Sequence, residues 1–218
     1  MVRLLDLGLE RLKNMLIDMG NFSEQTVSTA IDAYTQNKDL VKEVYAASER
    51  LRMLEEEVSE LAIELLARYQ PVASDLRFIK SCLEIAYGFT RFGRYAYDIM
   101  QVRSIFGDLS HCDTKPIEEA GKHAKDMIRL GIKAFIERDI NLAKKLKEMD
   151  SVIDNLYLSY VKAAAESKDR DIKCAIATTL ILRYLERIAD HATYIADSIE
   201  YIKSGEKSPK KSNRLTLR

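Results

Sequence analysis

Glu186 and Asp190 stand four residues apart, and Asp150 and Asp154 repeat that spacing. On a helix, residues four apart lie one turn apart on the same face. Each pair sits immediately beside an apolar seam and on the same side of it. Two helices packed along those seams therefore bring four carboxylates to one edge. Asp197 follows one heptad beyond Asp190. Like charges at this spacing cost about 0.2–0.5 kcal/mol per pair even in water. Gathering two pairs costs more unless a cation holds them. Oxygen-only donors suit Fe, Mn, Mg or Zn. The competing reading is a solvated helix face, its charge offset by Arg183, Arg187 and Lys147.

Such a site needs long helices, and the apolar spacing supplies them. Leu40, Val44, Ala47, Leu51, Leu54, Val58, Leu61 and Leu65 alternate steps of four and three, which draws one seam along a helix. The rhythm returns from Ile85 to Ile99, from Leu142 to Tyr160 and from Ile181 to Ile202. No stretch alternates as a half-buried strand does. The pattern predicts helices near 2–36, 39–69, 72–106, 115–137, 140–167 and 170–203. Gly20 and Asn21 read as an interruption of the first helix. Asn37 to Asp39 reads as a turn, with Asp39 capping the second helix. Pro71 stops the second helix and suits the first turn of the third. The stretch from Gly107 to Pro116 is the clearest linker.

Composition agrees with this layout. Only 8 Gly and 3 Pro occur in 218 residues, too few for a turn-rich β fold. Lys+Arg and Asp+Glu number 34 each, so no broad charge points to nucleic acid. The basic, Ser- and Pro-containing tail reads as disordered, with contact to anionic lipid as the rival reading. No signal peptide and no apolar run long enough for a bilayer is visible. Cys82, Cys112 and Cys174 lack metal-motif spacing. Cys82 and Cys174, among apolar helical residues, read as small core residues of a reduced cytoplasmic protein.

The two halves look like repeats. Asp39 to Val44 aligns with Asn141 to Leu146, and Tyr95 to Ile99 aligns with His191 to Ile195. The fold expected is all-α, two tandem antiparallel three-helix bundles over 1–107 and 113–204, with the tail at 205–218. The acids have no twin. Where the second half has Asp150, Asp154, Glu186 and Asp190, the first has Ser48, Arg52, Thr90 and Arg94. A divalent metal there would meet fixed positive charge. Arg52 and Arg94 could hold an anion such as phosphate; the plainer reading pairs them with Glu55 and Asp98.

Gln70, Pro71, Asp75 and Arg77 occur in the first half only. They read equally as a helix start, with Asp75 complementing the dipole, and as a docking surface. His111 and His123 lie near the linker without zinc-motif partners, and His191 reads as a surface residue, with a contribution to the acidic site as the rival reading. Tyr34, Tyr45, Tyr69, Tyr87, Tyr157 and Tyr184 read as core and rim packing. No phosphate loop or nucleophile elbow appears.

"ARYQPVASDLR" from Ala67 and "LERIADHATYIADSI" from Leu185 resemble the signatures of the PhoU family, and the resemblance covers both halves. It implies a regulatory adaptor, not an enzyme, that restrains phosphate uptake. Its implied partners are the phosphate ABC transporter and, where present, a phosphate-sensing histidine kinase, with the membrane reached only through the transporter. The resemblance also implies a homodimer and a metal, multinuclear iron among the options, on Glu186, Asp190, Asp150 and Asp154. The alternatives are a metal-dependent phosphoester hydrolase and a plain dimerisation module.

Overall fold

The computed structural model describes residues 3–167 and 171–206. Six helices follow one another: α1 Leu4–Thr35, α2 Val41–Tyr69, α3 Ala73–Phe106, α4 Lys115–Glu137, α5 Ile140–Glu166 and α6 Ile172–Ser204. No strand occurs among the described residues. The seams read from sequence are buried: Val44, Leu51 and Val58 in α2, Leu146 and Ile153 in α5, and Ile181, Leu185, Ile188 and Ile195 in α6.

Side-chain caps set the starts of the last two helices. The Asp139 carboxylate accepts from the Asn141 and Leu142 amides at 2.7 and 3.4 Å, and Asp171 accepts from the Cys174 amide at 3.1 Å. Helix α2 begins differently: Leu40 is its cap, while Asp39 reaches only the Val41 amide at 3.4 Å. Asn37, Gln70 and Arg138 close helices with positive φ despite carrying side chains.

Two expected boundaries are corrected. Helix α1 runs unbroken through Gly20 and Asn21. Gly20 is buried, and a Cβ there would stand 2.9 Å from both Phe89 and Ile132. Its role is close packing of α1 against both halves, not a break. Pro71 lies ahead of α3, whose cap is Val72, so it separates the helices without entering the first turn.

The bundles are α1–α3 and α4–α6, but they do not stand apart. Helix α3 lies along α6 and α1 against α4, so the four form a shared middle with α2 and α5 outside. One apolar core runs through both halves. Tyr95 and His191 are equivalent residues of the two repeats, and their ring centres lie 5.8 Å apart across α3 and α6. Equivalent positions meeting one another mark a local two-fold between the halves. Gly88 permits the approach, since a Cβ there would stand 2.9 Å from Ile195.

The cysteines also depart from the sequence reading. Cys82 is buried in the core as expected. Cys174, however, lies in the first turn of α6 and is bridged to Cys112 of the linker. Its apolar neighbours misled, because the helix start is outside the core: Ile172 and Ile176 are exposed. The basic tail lies, from 207 onward, outside the described residues.

Candidate metal centre

Helices α5 and α6 carry the four acids. Asp150, Glu186 and Asp190 are only 4, 8 and 6% exposed, which a solvated face would not produce, and Asp154 is half-buried. Burying several carboxylates without compensation is costly. Two arginines of α6 supply part of it. Arg183 Nη1 donates to Glu186 Oε1 at 2.5 Å, its guanidinium lying over the Tyr157 ring of α5. Arg187 Nη1 donates to Asp190 Oδ2 at 3.3 Å. The other oxygen of Glu186, Oε2, is buried with no hydrogen-bond donor, and Arg187 Nε stays 4.0 Å away.

The third expected counter-ion also serves acids further along. Lys147 of α5 reaches Asp197 at 3.1 Å and Glu200 at 2.8 Å. Asp197 is thereby engaged in a cross-helix ion pair.

The acids feel one another. Burial above all, then the charge of Asp190 and more weakly that of Asp154, push the Glu186 carboxyl up to about 7, against the opposing pull of Arg183 and Arg187. A carboxyl so raised is one whose ionised form its surroundings disfavour. A hard or borderline cation is the species that would relieve both the burial and the repulsion. The donor set therefore fits a metal, with Glu186 Oε2 turned inward and lacking a donor.

Ligand atoms of three metal-binding side chains, mutually within 4.8 Å, occur among the described residues at His111, Cys112 and Cys174 rather than at these acids. Glu186 and Asp190 are drawn toward their arginines instead. The His–Cys–Cys group was invisible to motif spacing, since its members come from a linker and a helix start sixty-two residues apart.

The PhoU domain model matches residues 16–102 and again residues 117–199. The chain belongs to the PhoU family. It is 30% identical over 209 residues to the phosphate-specific transport system accessory protein PhoU homolog 1 of Methanothermobacter thermautotrophicus, covering 91% of this chain and 94% of that one. It is 27% identical to the PhoU accessory protein of Escherichia coli K12, covering 91% and 84%. The crystal structure of the phosphate transport system regulatory protein PhoU from Streptococcus pneumoniae superposes with a TM-score of 0.87. That match covers 94% of this chain and 99% of that one at 22% identity, and it shows the fold.

The first PhoU domain of the chain presents a different edge. Thr90 Oγ1 donates to the Leu51 carbonyl at 3.3 Å, and Ser48 is buried. Arg94 pairs with Asp98 at 3.2 Å, as the plainer sequence reading held. Arg52 pairs with Glu49 at 3.3 Å and Glu56 at 2.5 Å, not with Glu55. Glu49 and Glu56 are three and four residues from Arg52, within reach along the same helix. Both guanidinium groups are thus already held by carboxylates.

His191, read as a surface residue, belongs instead to the α3–α6 interface, within 5.5–6.0 Å of Tyr87, Tyr95 and Tyr194. Burial first, then Arg91 and Arg187, hold it neutral with a pKa lowered to about 4. Of the tyrosines, Tyr34 is buried while Tyr45, Tyr69 and Tyr87 are rim residues.

The PhoU signature at the α2–α3 junction splits by residue. Gln70 is exposed, Pro71 buried, Asp75 pairs with Arg3 at 3.3 Å, and Arg77 Nε is buried without a hydrogen-bond partner. Asp75 and Arg77 line a cavity of about 440 Å³ with Asp6, Arg138 and Lys203. Tyr69, Val72 and Leu76 around the junction are exposed, Val72 at 74%.

Proposed function

We propose that this protein is a cytoplasmic regulatory adaptor that restrains phosphate uptake by binding the phosphate ABC transporter, and a phosphate-sensing histidine kinase where one is present. What carries the reading is a whole-chain match to proteins named as accessory to the phosphate-specific transport system. Among the described residues no helix is long and apolar enough to cross a membrane. The adaptor therefore meets the membrane through its partner, as a homodimer.

The α2–α3 junction is the docking end. Exposed Tyr69, Val72 and Leu76 beside a charged cavity supply the apolar anchors and polar rim that protein interfaces use. The second bundle holds a metal on Asp150, Asp154, Glu186 and Asp190. Fe, Zn, Mn or Mg would supply positive charge there, and the four side chains would tie α5 to α6. The ion is structural: no enzyme role is assigned. A carboxylate-bound metal that activated water for phosphoester hydrolysis would show as turnover by metal-loaded protein on phosphoester substrates, and none is expected.

The test is affinity capture from phosphate-replete cells. The wild-type chain should bring down transporter subunits, and a Val72→Asp, Leu76→Asp double variant with an unchanged helical spectrum should lose them. Capture that ignores this substitution, or that never includes a phosphate transporter subunit, would sink the assignment of the docking end or of the partner.

A further inference from the structure

The linker between the bundles is fastened to the start of α6 by more than the Cys112–Cys174 bridge. Lys173 Nζ donates to the Asp108 carbonyl at 3.2 Å, and His111 Nε2 lies 3.2 Å from Asp171 Oδ2. The same Nε2 is 3.4 Å from Cys174 Sγ and 4.0 Å from Cys112 Sγ. One imidazole nitrogen thus faces two sulfurs and a carboxylate oxygen.

Those separations suit a tetrahedral ion. With zinc bonds of about 2.3 Å to sulfur and 2.0–2.1 Å to nitrogen or oxygen, ligand atoms around one ion stand roughly 3.3–3.8 Å apart. Three of the distances to His111 Nε2 are already near that range. The two sulfurs, bonded to each other in the bridge, need only separate, and their Cα atoms are 5.5 Å apart. Asp171 divides its labour: Oδ1 caps α6 at the Cys174 amide while Oδ2 faces the imidazole. The cap holds the carboxylate in place beside the imidazole. Cys174 is the third residue of α6, so its sulfur is held at the helix start.

We propose that reduction of the Cys112–Cys174 bridge turns this corner into a zinc site with His111, Cys112 and Cys174 as ligands and Asp171 beside the imidazole. A dithiol reductant delivers two electrons and two protons to the bridge and leaves as its own disulfide. Zinc then displaces the two thiol protons to solvent. Bridge and metal exclude each other, yet either one ties the inter-bundle linker to α6. A protein in a reducing compartment, where the bridge would not persist, keeps the clamp by this exchange. The site is independent of the carboxylate centre: Cys174 and Glu186 are twelve residues apart along α6, about 18 Å.

Cobalt(II) tests this directly, because only sulfur ligation produces thiolate-to-cobalt charge-transfer absorption in the near ultraviolet. Wild-type protein reduced with a phosphine and desalted without oxygen should develop that band with one equivalent of Co²⁺ and lose it when Zn²⁺ is added. The oxidised protein should show no such band even if its carboxylates bind cobalt. His111→Ala in the reduced state should weaken binding by more than ~10-fold, since losing an outer-shell partner already costs that much. A reduced wild type without the band overturns the proposal, and so does a band that persists in a Cys112→Ser, Cys174→Ser variant. The comparison of oxidised with reduced wild type needs no substitution, so a variant that failed to fold would not blunt it.

Discussion

The two halves of the molecule share a packing scheme and differ at one edge. Leu51 of α2 and Ile153 of α5 occupy equivalent places, and both are fully buried. One step away on the same helices, Ser48 and Arg52 stand where the second half has Asp150 and Asp154. On the facing helices Thr90 and Arg94 stand where it has Glu186 and Asp190. Positions that fill space were kept equivalent while positions beside the seam changed charge. A duplicated bundle tolerates that, because edge residues set charge and seam residues set stability.

The seam should therefore behave alike in both halves and give the largest effects. Leu51→Ala and Ile153→Ala should each destabilise by about 2–5 kcal/mol in chemical unfolding, the usual cost of emptying a packed core site. Because one apolar core runs through both bundles, each should lower a single cooperative transition. Two separate transitions, one per bundle, would break the picture of a shared middle.

Metal binding should divide the halves. An Asp150→Asn, Asp190→Asn double variant should lose bound metal, with affinity down at least ~100-fold, since two anionic ligands of one ion are removed. Ser48→Ala and Thr90→Ala should leave metal content unchanged by elemental analysis of protein purified without chelator or affinity metal. Wild-type protein that carries no metal under those conditions would mean that the protein's own side chains compensate the acids without an ion.

The fold was open to reading from the sequence because the seams are long and regular and the breaks between them are clear: α2, α5 and α6 end within one residue of the bounds read from it. Gly20 misled because glycine marks both breaks and close contacts, and only the neighbours Phe89 and Ile132 decide which. The acids could be placed on one edge from their spacing, but their burial could not, since it depends on how α5 leans on α6. His191 was misplaced for a related reason: a three-helix bundle alone would expose it, and the packing of α3 on α6 covers it. Cys112 and Cys174 were beyond reach, as a linker must fold back to join them.

A smaller difference between the halves should appear with pH. In metal-free protein the Glu186 carboxyl is raised to about 7, against about 4.3 in an unfolded chain. Below the unfolded value Glu186 is protonated in both states and its burial carries no charge penalty. As pH rises through 4.3 and toward 7, the unfolded chain ionises first, so stability falls, by about 3–4 kcal/mol in all. Glu186→Gln should remove this slope and make the metal-free protein the more stable one at pH 7.5. Added metal favours the ionised form and should reverse the trend in wild type alone. The first half has Thr90 at the matching position and contributes no such slope. A metal-free wild type whose midpoint in urea is flat from pH 5 to 7.5 would mean that Glu186 is not forced toward its neutral form.

The arginine edge should give the smallest effects, and its two members should differ. Arg52 lies on the surface between Glu49 and Glu56, and its removal leaves solvated carboxylates behind. Arg52→Ala should not move the melting temperature. Arg94 also lies outward, but its partner Asp98 is mostly covered, with a side chain 17% exposed and a carboxyl already raised by burial against the opposing pull of Arg94. Arg94→Ala removes that pull, so Asp98 should titrate higher still, and stability at pH 7 should drop by about 1 kcal/mol. The loss should shrink as pH falls through the carboxylate range and Asp98 becomes protonated. An Asp98→Asn, Arg94→Ala double variant should lose less than the two single changes added together, as expected for residues in contact. Strict additivity would show that Arg94 does not serve Asp98. The arginine edge would then be open to an anion after all.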